Sequence, residues 1–377
     1  MGNWRNGELG NFITLKRGFD LPQQKREDGQ VPIFSSSGIT GTHSTAMVNA
    51  PGVITGRYGT IGEVFYAAED FWPLNTTLFV EDFHGNDAKF IYYFLKTLEW
   101  SKFTSASAVP GINRNTVHKE TVSLPDIETQ RRIASTLSML DEKIKTNTEI
   151  NDNLQRQLRT IFKAEFTDNP ELENITQIPL SELCHVVTKG TTPTTLGKPF
   201  VERGINFIKA ESILDDHSID KSKFAFIDEE TNALLKRSII HAGDVVFTIA
   251  GTLGRFALID ENVLPANTNQ AVAIIRADLE KVLPEYIYTC FIGEWHTDYY
   301  AKRVQQAVQA NLSLTTIKSL PIPLLDEAKM SEYLSLILPL IKAIKTNEAQ
   351  NEKLAALRDN LLPKLMSGEI DVSAVQL

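Results

Sequence analysis

From Ile133 onward a regular stripe occupies positions 133, 137, 140, 144, 147, 151, 154, 158 and 161. The steps alternate between four and three residues, which keeps one face of an α-helix turned toward a partner and predicts a coiled-coil seam. Its occupants are Ile133, Leu137, Leu140, Ile144, Asn147, Asn151, Leu154, Leu158 and Ile161. A second stretch repeats the pattern with Leu334, Ile337, Ile341, Ile344, Asn347, Asn351, Leu354 and Leu361, and with Leu357 or Arg358 between the last two. Pro125 and Pro323 stand just ahead of the two stretches, where proline is compatible with a helix start.

Asparagine in an apolar seam is costly unless it pairs, and a buried Asn pair is a good device for fixing register. An antiparallel pairing that sets Asn147 beside Asn351 and Asn151 beside Asn347 also brings together Ile144 and Leu354, Leu154 and Ile344, Leu137 and Leu361, and Ile161 and Ile337. Only Leu140 opposite Arg358 is a poor match. A parallel pairing would align the asparagines too, and separate packing of each helix on its own domain is the plainer alternative. The antiparallel intramolecular pair is the expectation adopted. Each helix of about 38 residues would measure roughly 55–60 Å.

The two stretches belong to a longer duplication. Ile144-Lys145-Thr146-Asn147 returns as Ile344-Lys345-Thr346-Asn347. Upstream, Gly59-Thr60-Ile61-Gly62 answers to Gly251-Thr252-Leu253-Gly254, Pro73-Leu74-Asn75-Thr76 to Pro265-Ala266-Asn267-Thr268, and Val31 through Phe34 to Ile205 through Ile208. Asn113 through Pro125 is matched to Asn311 through Pro323. Such a long period means a duplicated domain rather than a solenoid. The fold class expected is α+β, with two similar α/β domains, two long helices pairing as an antiparallel coiled coil, and a pseudo-twofold repeat. The boundaries read as 1–125, helix 126–167, linker 168–177, 178–323, and helix with tail 324–377.

Composition narrows the function. The chain has 377 residues, 42% of them hydrophobic, and a formal net charge of -9, so it carries sizeable cores and is no general polyanion binder. Lys+Arg against Asp+Glu stands at 11 to 12 over residues 1–125 and at 14 to 17 over 178–323. Any nucleic-acid contact must therefore come from local clusters. Two cysteines, Cys184 and Cys290, suggest a reduced cytoplasm rather than a disulfide framework. The seven histidines are scattered without metal-ligand spacing. No signal peptide and no apolar run of membrane-spanning length is visible.

Several phrases resemble the specificity subunit of type I restriction–modification systems, along almost the full chain. They are Trp4 through Gly10 at the start, Leu124-Pro125-Asp126-Ile127-Glu128-Thr129-Gln130 ahead of the first helix, Ile161-Phe162-Lys163 at its end, and Leu361 through Ile370 near the C-terminus. Each is weak alone; in order and in both halves they are specific. The second helix begins Pro323-Leu324-Leu325-Asp326-Glu327-Ala328, without the glutamine, which leaves its cap open. The resemblance implies two target recognition domains that each read one half of a split double-stranded DNA sequence, and helices that bind two methyltransferase subunits. Restriction subunits would join in the full complex. It also implies that this chain performs no chemistry and binds no cofactor, S-adenosylmethionine lying on the methyltransferase partner and ATP with Mg on the restriction partner. The methyltransferase would act on adenine N6, extruding the base.

The residues agree with a non-enzyme. The only Asn-Pro, Asn169-Pro170, runs into Glu171 instead of the Pro-aromatic pair an adenine methyltransferase needs. Gly190 to Lys198 has the wrong spacing for a phosphate loop, and Lys198 is followed by Pro199. Asp244 reads as structural.

Candidate DNA contacts are the residues able to read bases or hold phosphates near turns. In the first half they are Lys16, Arg17, Ser35, Ser36, Ser37, Arg57, Tyr58, Thr60, Asn75, Asn113, Arg114 and Lys119, with His118 beside them. In the second they are Lys189, Thr191, Lys209, Thr252, Arg255, Asn267, Lys302, Arg303, Gln309 and Asn311, with Thr192 beside Thr191. The shared Gly-Thr-x-Gly turns suit fold or phosphate contact, whereas Arg57 and Lys209, which differ between the halves, suit sequence choice. Asn75 and Asn267 read either as structural amides or as DNA contacts. Tyr58 either stacks on an extruded base or packs, packing being the simpler expectation. A structural coiled-coil adaptor and a fused restriction–methylation enzyme are the competing functions. The first leaves two elaborate domains unused, and the second lacks its catalytic motifs.

Overall fold

The computed structural model describes residues 3–104, 111–169, 175–297, 299 and 311–372. The chain divides into two compact units, Met1–Ile144 with Lys353–Leu377, and Lys145–Glu352. In the first unit the strands are β1 (Arg5–Glu8), β2 (Thr14–Arg17), β3 (Val31–Ser35), β4 (Gly38–His43), β5 (Gly52–Gly56), β6 (Val64–Ala67), β7 (Trp72–Pro73), β8 (Thr77–Asp82) and β9 (Thr121–Leu124). Helices α1 (Ala88–Lys96) and α2 (Arg114–His118) precede the long α3 (Ile127–Phe166). The second unit holds β10 (Gln177–Pro179), β11 (Cys184–Lys189), β12 (Ile205–Ile208), β13 (Ala225–Ile227), α4 (Glu229–Leu234), β14 (Val245–Thr248), β15 (Phe256–Leu258), β16 (Ala266–Thr268), β17 (Val272–Ala277), α5 (Pro284–Ile292), α6 (Leu314–Lys318), β18 (Pro321–Pro323) and α7 (Glu327–Met366).

The duplication is complete at the level of topology. A four-stranded sheet ordered β2-β8-β5-β6 in the first unit has its counterpart in β11-β17-β14-β15. The three-stranded sheet β4-β3-β7 matches β13-β12-β16, and the ribbon β1-β9 matches β10-β18. In both three-stranded sheets one pair is antiparallel and the other parallel.

Both long helices span 40 residues and run antiparallel in the expected register. Within the second unit Asn147 Nδ2 donates to Asn351 Oδ1 at 2.8 Å, and Asn347 Nδ2 donates to Asn151 Oδ1 at 2.8 Å. Every seam position of α3 is buried or half-buried. The ambiguity in α7 falls to Arg358, because Leu357 is exposed. Within the first unit Arg358 Nη1 donates to Asp141 Oδ1 at 2.8 Å, and the same carboxylate accepts Tyr93 Oη at 2.5 Å. The poor match opposite Leu140 is thus met by the neighbouring aspartate, which neutralises a half-buried guanidinium.

The helix starts are alike after all. Asp126 Oδ1 accepts the Thr129 N–H and Asp326 Oδ1 the Lys329 N–H, each at 2.9 Å, the usual N-cap arrangement. The Thr129 bond, with one from the Asn3 N–H, holds the Asp126 carboxyl below its ordinary value. The glutamine that differs has another task. Buried Gln130 donates to Asn86 Oδ1 and the Pro125 carbonyl and accepts the Asp87 N–H, tying α3 to the start of α1. Met330, at the same place in α7, packs against the apolar core instead.

Each unit has its own core. In the first, Leu9, Ile13, Leu15, Phe90 and Phe94 close over Ile133 and Leu137 of α3, and Leu365 joins them from α7. In the second, Phe247, Phe256, Tyr286 and Phe291 pack with Leu158, Phe162 and Phe166 of α3 and with Tyr333 and Ile337 of α7. The helices are therefore part of both cores.

Candidate DNA interface

In the first domain four loops converge on residues 74–76. The Arg57 and Tyr58 N–H groups donate to the Thr76 carbonyl at 2.9 and 3.3 Å, and the Leu74 N–H donates to Phe34 O at 2.8 Å. The Ile112 N–H donates to Arg57 O at 3.0 Å, and the Phe19 N–H to Pro73 O at 2.8 Å. A side chain placed on Gly59 would reach to 3.3 Å from Ser36 Oγ, so the serine hairpin borders the Gly-Thr-x-Gly turn. Backbone hydrogen bonds alone thus gather the ends of β2 and β3 with the loops after β5, after β7 and before α2.

The second domain builds the same frame. The Ile249 N–H donates to Ala271 O and the Leu312 N–H to Ile249 O, at 2.8 and 2.9 Å. Both glycines of each Gly-Thr-x-Gly turn have φ between 74° and 85°, a left-handed conformation that glycine adopts at little cost. The shared turn is accordingly a requirement of the backbone. Gly18 and Gly190 recur for a different reason: a Cβ there would lie 2.2 Å from Leu74 O and 1.8 Å from Thr268 O.

Hydrogen bonds and ladders correct two of the sequence correspondences. The Thr77 N–H donates to Leu74 O, as the Val272 N–H does to Asn269 O. Leu78 stands opposite Arg17 as Ala273 stands opposite Lys189. Leu74 therefore corresponds to Asn269, and Asn75 to Gln270, not to Asn267. Further on, Ile112 corresponds to Leu312, and the cap of α2, Asn113, to Ser313, the cap of α6. Asn311 lies two residues ahead of the place the sequence match gave it.

Several predicted contacts lose their freedom. Asn267 is fully buried; it accepts Ser238 Oγ at 2.7 Å and donates to Asn232 Oδ1 and Leu235 O, so it is a structural amide with no face for DNA. Arg255 is clamped by both oxygens of Asp215, at 2.6 and 2.7 Å, and donates to Ile213 O. Lys16 is paired with Glu81 at 2.5 Å on the surface, where the pair can open for DNA as well. His118 Nε2 accepts the Leu15 N–H at 2.9 Å. Burial first, and then the Arg114 charge, lower its pKa. It is a neutral structural acceptor rather than a phosphate ligand. Lys209 lies 2.6 Å from Glu211 on the surface, a pair weak enough to open for DNA. Tyr58 is half-buried, with the Arg57 guanidinium 4.5 Å from its ring centre. A Cβ on Gly111 would fall 2.2 Å from the ring. Its ring is packed.

Other candidates remain available. Arg17, Ser37, Thr60, Asn113, Arg114, Lys119, Thr252 and Asn311 are exposed, and Ser35, Ser36, Arg57, Lys189 and Thr191 are half-buried. Arg17, Arg57, Arg114, Lys119 and Lys189 form no ion pair among the described residues. Arg57 Nε donates to Ile112 O at 3.3 Å, which orients it along the cluster. Lys302, Arg303 and Gln309 lie outside the described residues. Sequence reasoning missed Arg237, which donates to Thr191 Oγ1 at 3.3 Å, and it missed Asp20 and Gln270. Asp20 accepts from Asn75 Nδ2. In the second domain Gln270 Oε1 accepts the Thr192 N–H at 3.1 Å and also Thr192 Oγ1. Asp20 stands two residues beyond Gly18 as Thr192 stands two beyond Gly190, the signal that could have found it.

Residues 1–156 and 173–356 match the family described as type I restriction modification DNA specificity domain. The chain belongs to this family. Among its relatives, the type I restriction enzyme MjaIX specificity subunit of Methanocaldococcus jannaschii is 24% identical over 313 residues, covering 76% of this chain and 70% of the relative. The HindI specificity subunit of Haemophilus influenzae is 24% identical over 358 residues, covering 73% and 75%. The crystal structure of a type I restriction–modification S subunit from M. genitalium superposes with a TM-score of 0.62 at 16% identity, covering 97% of this chain and 96% of that one. At that identity the likeness establishes the fold. The two loop clusters lie one in each of the matched stretches. No helix among the described residues is long and apolar enough to cross a membrane.

Proposed function

We propose that each loop cluster reads one half of a split DNA sequence, and that the paired helices fix the interval between the halves. The observation that carries this reading is one backbone frame built twice with different outward side chains. Asn113 stands where the second domain has Ser313, both exposed, and Arg17 where it has Lys189. A shared frame with divergent side chains suits two different base sequences met in the same way. At 1.5 Å per residue, helices of 40 residues measure about 60 Å, long enough for half-sites separated by one or more DNA turns of roughly 34–36 Å.

In this reading the chain is the non-catalytic member of a complex that methylates adenine at N6. Two methyltransferase subunits carrying S-adenosylmethionine bind the helices, and restriction subunits with ATP and Mg join them. The acidic net charge of -9 fits an arrangement in which partner subunits supply much of the phosphate contact.

The test is coexpression with a cognate type I methyltransferase, followed by mapping of N6-methyladenine in the host DNA. The expected pattern is two short blocks around a fixed unspecified spacer. Arg57→Ala should alter the first block alone, and Arg237→Ala the second alone, with assembly intact. Loop variants that all leave the methylated sequence unchanged would refute the recognition role.

A further inference from the structure

Asn75 and Gln270 occupy the same point of the two frames, each one residue ahead of the carbonyl that accepts the Arg57 or Ile249 N–H. Each carboxamide bonds the residue two positions beyond the strand-end glycine, Asp20 in one domain and Thr192 in the other. The two partners have opposite hydrogen-bonding character. An ionised carboxylate only accepts, so Asp20 fixes the NH₂ of Asn75 inward and leaves Oδ1 outward. A backbone N–H only donates, so Thr192 fixes Oε1 of Gln270 inward, where the hydroxyl adds a second bond. The NH₂ of Gln270 is left outward. Which way an amide points is normally ambiguous; here the chemistry of its partner decides it. Asn75 is half-buried and Gln270 exposed, and neither outward group has another hydrogen-bond partner among the described residues.

We propose that these two amides are specificity-determining residues of opposite polarity. Asn75 Oδ1 accepts from a base bearing an exocyclic amino group, adenine N6 or cytosine N4, and Gln270 Nε2 donates to an acceptor edge, guanine O6 or N7 or thymine O4. In the major groove these groups differ from base to base, so reversing the polarity of the amide reverses its preference. This rests on the reading that the loop clusters contact DNA bases.

The experiment compares methyltransferase complexes carrying wild-type chain, Gln270→Glu, or the reciprocal exchange Asp20→Asn with Asn75→Asp. Methylation rates are measured on duplexes in which each base pair of both half-sites is varied in turn. In Gln270→Glu one carboxylate oxygen keeps the Thr192 N–H and the other faces outward as an acceptor. At one position of the second half-site the preference should then move from an acceptor edge to an amino-bearing base, by about tenfold to a hundredfold, with the first half-site unchanged. The reciprocal exchange keeps an outward acceptor in the first domain and should preserve its base profile. An unaltered profile for Gln270→Glu overturns the proposal, and so does an equal loss on every duplex from an intact complex, which would make Gln270 a frame residue. If the wild-type complex shows no split sequence at all, the DNA-reading function fails first.

Discussion

Replacing the asparagine layer of the helix pair offers a direct test of why polar residues occupy an apolar seam. Asn147 is fully buried, and its Nδ2 donates to Asn351 Oδ1 and Gln350 Oε1, both at 2.8 Å. Truncating one side with Asn351→Leu removes an acceptor and leaves a buried amide short of a partner. That loss costs about 1–3 kcal/mol. The single variant Asn147→Leu strands Asn351 Oδ1, while Asn351 Nδ2 keeps a long contact of 3.5 Å to Thr148 Oγ1, and should cost less because Asn351 is half-buried. With both changed to leucine, no buried amide is stranded and two apolar side chains fill the layer. The double variant should be at least as stable as wild type, and a coupling energy of about 2 kcal/mol should separate it from the sum of the singles. Urea unfolding of the four proteins gives that number. Additive effects would show that the asparagines do not depend on one another and would refute the pairing argument. With one polar layer gone, slipped registers become cheaper, so the double variant should also methylate sites with altered spacers. The second layer, Asn151 with Asn347, still opposes slippage, so the spacer should broaden rather than shift.

Three further outcomes follow from single sites. Burial, aided by Arg159, lowers the His217 pKa to about 4, and burial lowers that of His296 to about 4 as well. Both folded values lie below the usual 6.5, so their contribution to stability is constant above that pH and falls as pH drops from 6.5 toward 4, by about 2 kcal/mol per group at pH 5. His217→Asn, which tolerates the φ of 64°, should lose less between pH 7 and pH 5 in urea unfolding; an equal loss would place the sensitivity elsewhere. Asp141→Asn deprives Arg358 of its charge partner and should lower stability by roughly 1–2 kcal/mol, a value reduced by the partial exposure of the pair. No change in the unfolding midpoint would mean that Asp359 alone suffices. Asn267→Ala breaks bonds to Ser238, Asn232 and Leu235 and should cost about 2–4 kcal/mol while leaving the methylated sequence intact. A changed sequence with unchanged melting would restore Asn267 as a base reader.

The helix pair was legible because its signal is long. Nine seam positions in α3 keep one period, and a chance pattern rarely lasts so many turns. The register was legible because four asparagines must find one another. The loop correspondences were not legible, because Pro-x-Asn-Thr is a short phrase in a region where the two copies differ in length. Strand pairing overrode it: side chains alternate along a strand, and a shift of three residues turns Asn267 from the counterpart of Asn75 into a buried amide beneath α4. Nor could composition reveal which basic residues are already matched. Arg255 lies 40 residues from Asp215 and Lys16 lies 65 from Glu81, so only the folded chain brings each acid to its base.

The division of labour inside each domain has a physical basis. Main-chain bonds such as Arg57 N–H to Thr76 O and Ile249 N–H to Ala271 O assemble the loops without regard to the side chains those residues carry. Glycines supply the left-handed turns, and a few apolar loop residues, Ile112 in one domain and Ile249 and Leu312 in the other, anchor the frame to the core beneath. A loop frame held in this way can exchange its outward residues at little cost in stability, since surface substitutions usually change it by less than about 0.5 kcal/mol. The two halves of this chain already illustrate the result, with asparagine in one frame and serine in the other at the same exposed helix cap. Specificity can therefore diverge between duplicated domains while the helices, whose residues serve both cores, keep their sequence and their register.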